Sequence, residues 1–184
     1  MKRNAKWLKK LIMVSIVLAM PHSFAAENPS KTVEVFLLTQ DAKTHGMGEK
    51  IGTITFTDSA QGLEIKTQLS KLAPGQHGFH VHENPKCEGA EKDGKWQAGL
   101  AAGGHLDPAH TGHHLGPNGQ GHLGDLPLLT VDDKGQANET LFAKRLKVAD
   151  LKDRSIMIHK GADNYSDVPP MGGGGDRIAC GTIS

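Results

Sequence analysis

From Thr32 onward the chain is patterned mostly with a period of two. Thr32–Thr39 is β-branched and apolar, and Lys50–Thr57 sets Ile54 and Phe56 on one face. Gly62–Ser70 alternates cleanly, with Leu63, Ile65 and Leu69 opposite Glu64, Lys66 and Gln68. Such alternation marks half-buried antiparallel strands. Turn-like segments at Asp41–Gly48 and Asp58–Gly62 separate them, and Ala73-Pro-Gly75 leads into His77–Glu83. There Phe79 and Val81 face one way, His80 and His82 the other. Strand signals return at Leu128–Val131, Glu139–Ala143, Ser155–His159 and Arg177–Ile183, with a turn at Asp132–Gly135 and a short helical turn at Val148–Lys152.

Two stretches break the pattern. Asn84–Pro127 and Lys160–Asp176 are rich in glycine, proline and polar residues and carry hardly any strand signal. Loops of such length inside a compact domain are functional or disordered, and the first offers so little apolar material that something other than a core must hold it. The pattern therefore predicts an all-β fold: an eight-stranded antiparallel Greek-key sandwich or flattened barrel with two long functional loops.

The N-terminus stands apart from this pattern. Lys2, Arg3, Lys6, Lys9 and Lys10 precede the apolar run Leu11–Met20, then Pro21 and Ser23-Phe-Ala25. This is the layout of a secretory signal at residues 1–25, with cleavage after Ala25 preferred over Ala26, and the apolar run is about half the ~20 residues that a membrane span needs. Residues 26–184 then form one domain, with no membrane association after cleavage. The whole chain carries 21 basic and 20 acidic residues; residues 1–25 hold five of the basic ones and none of the acidic, so the remainder has a formal charge of −4. That excludes the basic footprint on which nucleic-acid or anionic-membrane binding depends. Cys87 and Cys180 are the only cysteines. In an exported chain an even pair reads first as a disulfide, ahead of a pair of metal thiolates, and closing a loop this long contributes about 4–5 kcal/mol in the chain-entropy picture.

Histidine changes the picture most. Eight of the eleven histidines lie between His77 and Asp125. His80 and His82, two apart on a strand, leave the same face and can share one ion, to which His159 can add a ligand from another strand. An all-imidazole set suits copper or zinc rather than calcium or magnesium. In the first loop His114, His122 and Asp125 are spaced for a second site of zinc type, and metal binding there would fold a loop that lacks a core. His105 lies between the sets in sequence, and its two ring nitrogens could bridge two metals. Spacing alone leaves His110 and His113 as substitutes for His114. His77 is on the Phe79 face and reads as a hydrogen-bonded structural histidine, and His45 as an exposed loop residue.

The segments His77-Gly-Phe-His-Val-His-Glu83, Gly103-Gly-His-Leu-Asp-Pro108, His114-Leu-Gly-Pro117, Gly121-His-Leu-Gly-Asp-Leu-Pro127 and Gly172-Gly-Gly-Gly-Asp-Arg-Ile-Ala-Cys-Gly181 occur in this order along the chain. Together they resemble copper/zinc superoxide dismutase of the bacterial exported, periplasmic type. The resemblance implies disproportionation of superoxide to dioxygen and hydrogen peroxide, with one copper and one zinc ion per subunit. It implies copper at His80, His82, His105 and His159, zinc at His105, His114, His122 and Asp125, and His105 as bridging imidazolate. It selects His114 over His113, pairs Cys87 with Cys180, makes Asp163 the carboxylate linking a copper ligand to a zinc ligand, and sets Arg177 beside copper to orient the anion. Lys160 and its loop are expected to shape the approach. Relatives of this type are monomers or homodimers. The rival readings are a non-catalytic periplasmic copper/zinc-binding or buffering protein, which needs neither a shared histidine nor Arg177, and a zinc hydrolase, for which no HExxH motif is present.

Overall fold

The alternating residues near the start of the described chain (27–184 of a computed structural model) fold as a meander: β1 (Ser30–Leu38), β2 (Met47–Ser59) and β3 (Gly62–Leu69). The expected signal segment and its cleavage position lie outside the described residues. The chain continues through β4 (Gly75–His77), β5 (Phe79–His82), β6 (Ala90–Lys92), β7 (Lys95–Gln97), β8 (Leu129–Val131), β9 (Thr140–Ala143), β10 (Arg154–His159) and β11 (Arg177–Ile183). Seven strands form one antiparallel sheet in the order β5-β10-β11-β1-β2-β3-β9, and β4 pairs with β8, β6 with β7. After β3 the chain crosses to the far edge as β5 and later returns beside β3 as β9, a crossing connection of Greek-key type.

The inner faces supply the core. Val33, Val35, Ile54, Phe56, Leu63, Ile65, Phe79, Val81, Ile156 and Ile158 belong to one buried cluster. Each such side chain contributes about 1.5–3 kcal/mol on burial, and Phe79, Val81, Ile156 and Ile158 among them fix the faces of β5 and β10, on which His80, His82 and His159 sit.

Among the described residues eleven strands stand where the pattern predicts eight. The expected strand 77–83 is divided at Gly78, where the chain leaves its pairing with β8 and takes up pairing with β10. The remaining two form the β6–β7 hairpin inside the first long loop, turning at Asp93 and Gly94 with φ of 54° and 71°. An Asp-Gly pair with both φ positive is a preferred two-residue hairpin turn. The helical turn appears as a 3₁₀ segment, Val148–Leu151.

The first loop also corrects an expectation, since it does not rely on metal alone. Leu106 and Leu126 are buried in the main core cluster and Leu123 packs against it. Its backbone is laced along the free edge of β5: Leu106 N donates to Val81 O (2.8 Å), Val81 N to Gly124 O (2.9 Å) and Glu83 N to Gly104 O (3.1 Å). This covers an edge that would otherwise expose unpaired backbone groups. A Cβ at residue 124 would lie 2.2 Å from Val81 O, so only glycine permits the approach. The Cys87–Cys180 disulfide, Cα–Cα 5.7 Å, ties the start of the same loop to β11 and packs in a small second cluster with Ala102 and Met157.

Candidate metal centre

Strand alternation builds one side of the site. β5 and β10 pair with Met157 opposite His80 and Ser155 opposite His82. Phe79, Val81, Ile156 and Ile158 therefore point into the core, and His80, His82, Met157 and His159 share the opposite face. The β10–β11 register shifts between Ile158 and His159, so that Ile178 is an extra residue and Arg177 pairs with His159. Unbroken alternation from Cys180 would turn Arg177 away from the histidine face; the bulge brings it round.

The laced loop builds the other side. Isolated bridges join His80 to Asp125 and His82 to His105, and these place both loop residues against β5. Ligand atoms of His80, His82, His105 and His159 lie within 4.8 Å of one another, as do those of His80, His105, His114 and Asp125. His80 stacks on His105 with ring centroids 3.9 Å apart and so lies close to both groups. His122 joins the second group through Asp125: Oδ1 of Asp125 is 3.2 Å from Nδ1 of His105, 3.1 Å from Nδ1 of His114 and 3.5 Å from Nδ1 of His122. Donors held 2.0–2.1 Å from a tetrahedral zinc ion are separated by about 3.3 Å, which these spacings match.

The tautomers are set from outside. Asp163 accepts from Nε2 of His80 through Oδ2 (2.6 Å), and Nε2 of His114 donates between both of its oxygens (2.8 and 2.9 Å). Nδ1 of His82 donates to Gly103 O (3.1 Å), and Nδ1 of His159 to Gly175 O (3.1 Å). Each bond leaves the other ring nitrogen bare. Nδ1 of His80, Nε2 of His82, Nδ1 of His114, Nδ1 of His122 and Nε2 of His159 are all buried without a hydrogen-bond partner. Orphaned buried polar atoms are costly and rare. Five bare imidazole nitrogens around two centres fit metal ligation.

The electrostatics agree. Burial is the main cause that pushes His80 down to about 3 and His159 down to about 4, and it also lowers His82 and His105. Neutral imidazole is the form that ligates metal. Burial opposes ionisation of Asp125 and Asp163, but the His105 and His114 rings beside the first, and hydrogen bonds from His114 and His80 to the second, hold both well below the carboxylate range. Between these two carboxylates His114 is raised to about 9 against its burial. Gly172, at φ 73°, closes the site from above: a Cβ there would lie 2.0 Å from Asp163 Oδ1.

Arg177 is half-buried, and its Nη1 and Nη2 donate to Gly99 O (2.5 Å) and Gly103 O (2.6 Å), which fixes the guanidinium plane. Its charge is among the causes lowering His82 and His159, and it lines a cavity of about 460 Å³ with Gln40, Lys92, Trp96 and Asp176. Lys160 is exposed and lies 3.8 Å from Asp176. His77 is buried away from the donors, its ring nitrogens 2.7 Å from His159 O and 2.8 Å from Ala73 O. His45, His110 and His113 are exposed. The pattern of residues gave no sign of Asp167, whose carboxylate binds the backbone of His114 across 53 positions.

Fold and site together define a β-sheet protein of metal-binding type, with two adjoining donor sets that have His80 and His105 in common. Residues 50–183 match the copper/zinc superoxide dismutase (SODC) family. The Cu-Zn superoxide dismutase of Brucella abortus is 49% identical over 178 residues, which cover 96% of this chain and 99% of that one. The solved Cu/Zn superoxide dismutase from Brucella abortus aligns with a TM-score of 0.81 at 51% identity, over 85% of this chain and 100% of the other. The solution structure of the monomeric copper, zinc superoxide dismutase from Salmonella enterica gives 0.75 at 50% identity, over 85% and 100%. The chain belongs to the copper/zinc superoxide dismutase family.

Proposed function

We propose that this chain disproportionates superoxide, two anions and two protons giving dioxygen and hydrogen peroxide. His80, His82, His105 and His159 would hold copper; His105, His114, His122 and Asp125 would hold zinc. When bound, copper supplies the one-electron redox chemistry, and zinc supplies charge and a fixed ligand geometry. The observation that carries this reading is the convergence of bare, buried imidazole nitrogens on two donor groups that both contain His105, with His122 reaching the second through Asp125.

The chain's own residues have distinct tasks. His105 faces Asp125 with Nδ1 and stacks on His80, so one ring serves both donor sets. Asp163 orients His80 and His114 together, and such outer partners fix ring direction and raise ligand basicity. Arg177, locked by two carbonyls beside His159, offers its remaining N–H groups to an anion. It supplies the local attraction that a net-negative chain needs for an anionic substrate. All of these residues belong to one chain, so a single copy carries the whole constellation. The pattern of residues 1–25 and the Cys87–Cys180 disulfide support export to the periplasm, an oxidising compartment.

The test is the decay of superoxide with protein carrying both ions, set against protein stripped of them. Acceleration by the loaded protein alone is expected. Full occupancy without acceleration would overturn the enzymatic reading in favour of a metal buffer.

A further inference from the structure

The second long loop meets the first at more than Asp163. The Tyr165 ring lies over Gly116, where a Cβ would come within 2.6 Å of it, and its hydroxyl accepts from Leu128 N at 2.9 Å. Two residues on, Asp167 straddles two consecutive histidines: Oδ1 accepts from the backbone N–H of His114 at 2.7 Å, and Oδ2 lies 2.9 Å from Nδ1 of His113. Asp167 is itself held in place, because Asn164 Nδ2 donates to Val168 O (2.9 Å) and Ser166 N to Asn164 Oδ1 (3.0 Å). His114 is therefore gripped twice from the same loop, at its ring by Asp163 and at its main chain by Asp167.

We infer that Asp167 is a positioning residue for zinc, acting through the backbone of His114, and that His113 is its outer companion rather than a ligand. The inference rests on zinc occupying the set that contains His114. A ring held only at Nε2 can still swing about its own main chain; a second grip on the N–H removes that freedom and keeps Nδ1 aimed at the zinc position. The two contacts of Asp167 are unequal. The one to His113 joins side chains that are 64% and 46% exposed, a setting in which ion pairs contribute little. The bond to the main-chain N–H of His114 is charge-assisted and short, and it is the one that matters. Copper is affected less than zinc in this scheme, since three of its four holders, His80, His82 and His159, stand on paired strands.

The experiment uses the protein loaded with both ions and follows transfer of zinc to a chromogenic chelator while copper is tracked by its visible absorption. Asp167→Ala should release zinc about tenfold faster, the lower end of the effect of groups that hold a ligand from behind. Asp167→Asn keeps an oxygen that accepts from His114 N–H and should release zinc close to the native rate, as should His113→Ala. Cobalt placed in the zinc position should show an altered visible spectrum in Asp167→Ala and the native spectrum in Asp167→Asn. Native release from Asp167→Ala, equally fast release from Asp167→Asn, or loss of copper in step with zinc would each overturn the inference. Unchanged release in a variant that still speeds superoxide decay removes only the role of Asp167. A native chain that holds zinc firmly but leaves superoxide decay unchanged removes the proposed function and leaves Asp167 untouched.

Discussion

His80, His82 and His159 leave paired strands whose opposite faces are core, whereas His114, His122 and Asp125 hang on a loop attached by lacing, three leucines and contacts from other segments. On the strand side, geometry follows from the same packing that folds the sheet. On the loop side each donor needs a dedicated holder: Asp163 and Asp167 for His114, the Gly116 N–H for Asp125 (3.1 Å), and Arg145 for the backbone carbonyls of Gly121 (2.8 Å) and His122 (3.2 Å). A donor on a strand comes with its backbone position and needs only its ring turned, by Asp163, Gly103 O or Gly175 O; a donor on a loop has to be given both.

The contrast can be broken most directly at the residue common to both halves. His105→Ala should lose both ions on dialysis and reduce superoxide decay to that of the stripped protein; retention of either ion at native affinity would contradict a shared ring. Stripping the native chain with a chelator comes next. Structural zinc contributes about 10–16 kcal/mol in small zinc domains, so amides of the loop from Gly103 to Pro127 should exchange far faster, while those of β5 and β10 keep their protection. Equal loosening on both sides would show that the strand half also depends on metal. Reduction of Cys87–Cys180 should cost about 2–5 kcal/mol in unfolding free energy, read by denaturant titration with and without reductant, since it frees the start of the loop from β11. Arg177→Ala should have the smallest effect, slowing turnover about tenfold, or about 1.4 kcal/mol, with copper still bound and with a weaker dependence on salt. Unchanged kinetics at low ionic strength would remove Arg177 from substrate capture.

The strand half was the more legible in the sequence because alternation reports it directly. Leu63, Ile65 and Leu69, or Phe79 and Val81 against His80 and His82, announce both a strand and its faces. The loop half was less so, for physical reasons. Leu106 and Leu126 enter the core singly, without a period to betray them. The edge of β5 is covered by main-chain bonds to Gly104, Leu106 and Gly124, and backbone lacing leaves little trace in residue type. Asp93-Gly94 was a readable hairpin signal that the surrounding polar residues obscured. The bulge at Ile178 was not legible, since an inserted residue shows only against the strand it fails to match, and with it went the reason why Arg177 faces His159. Asp167 lay hidden in the same way, one acidic residue among many until the fold brought it to His114.

One carboxylate, that of Asp163, accepts from both His80 and His114. In the language of linkage, the two ions are ligands of a single coupled equilibrium. Whatever factor an ion on the His114 side applies to affinity on the His80 side, the reverse factor is identical. The order of arrival then governs only how fast the pair assembles, and a compartment short of one metal changes how firmly this chain keeps the other.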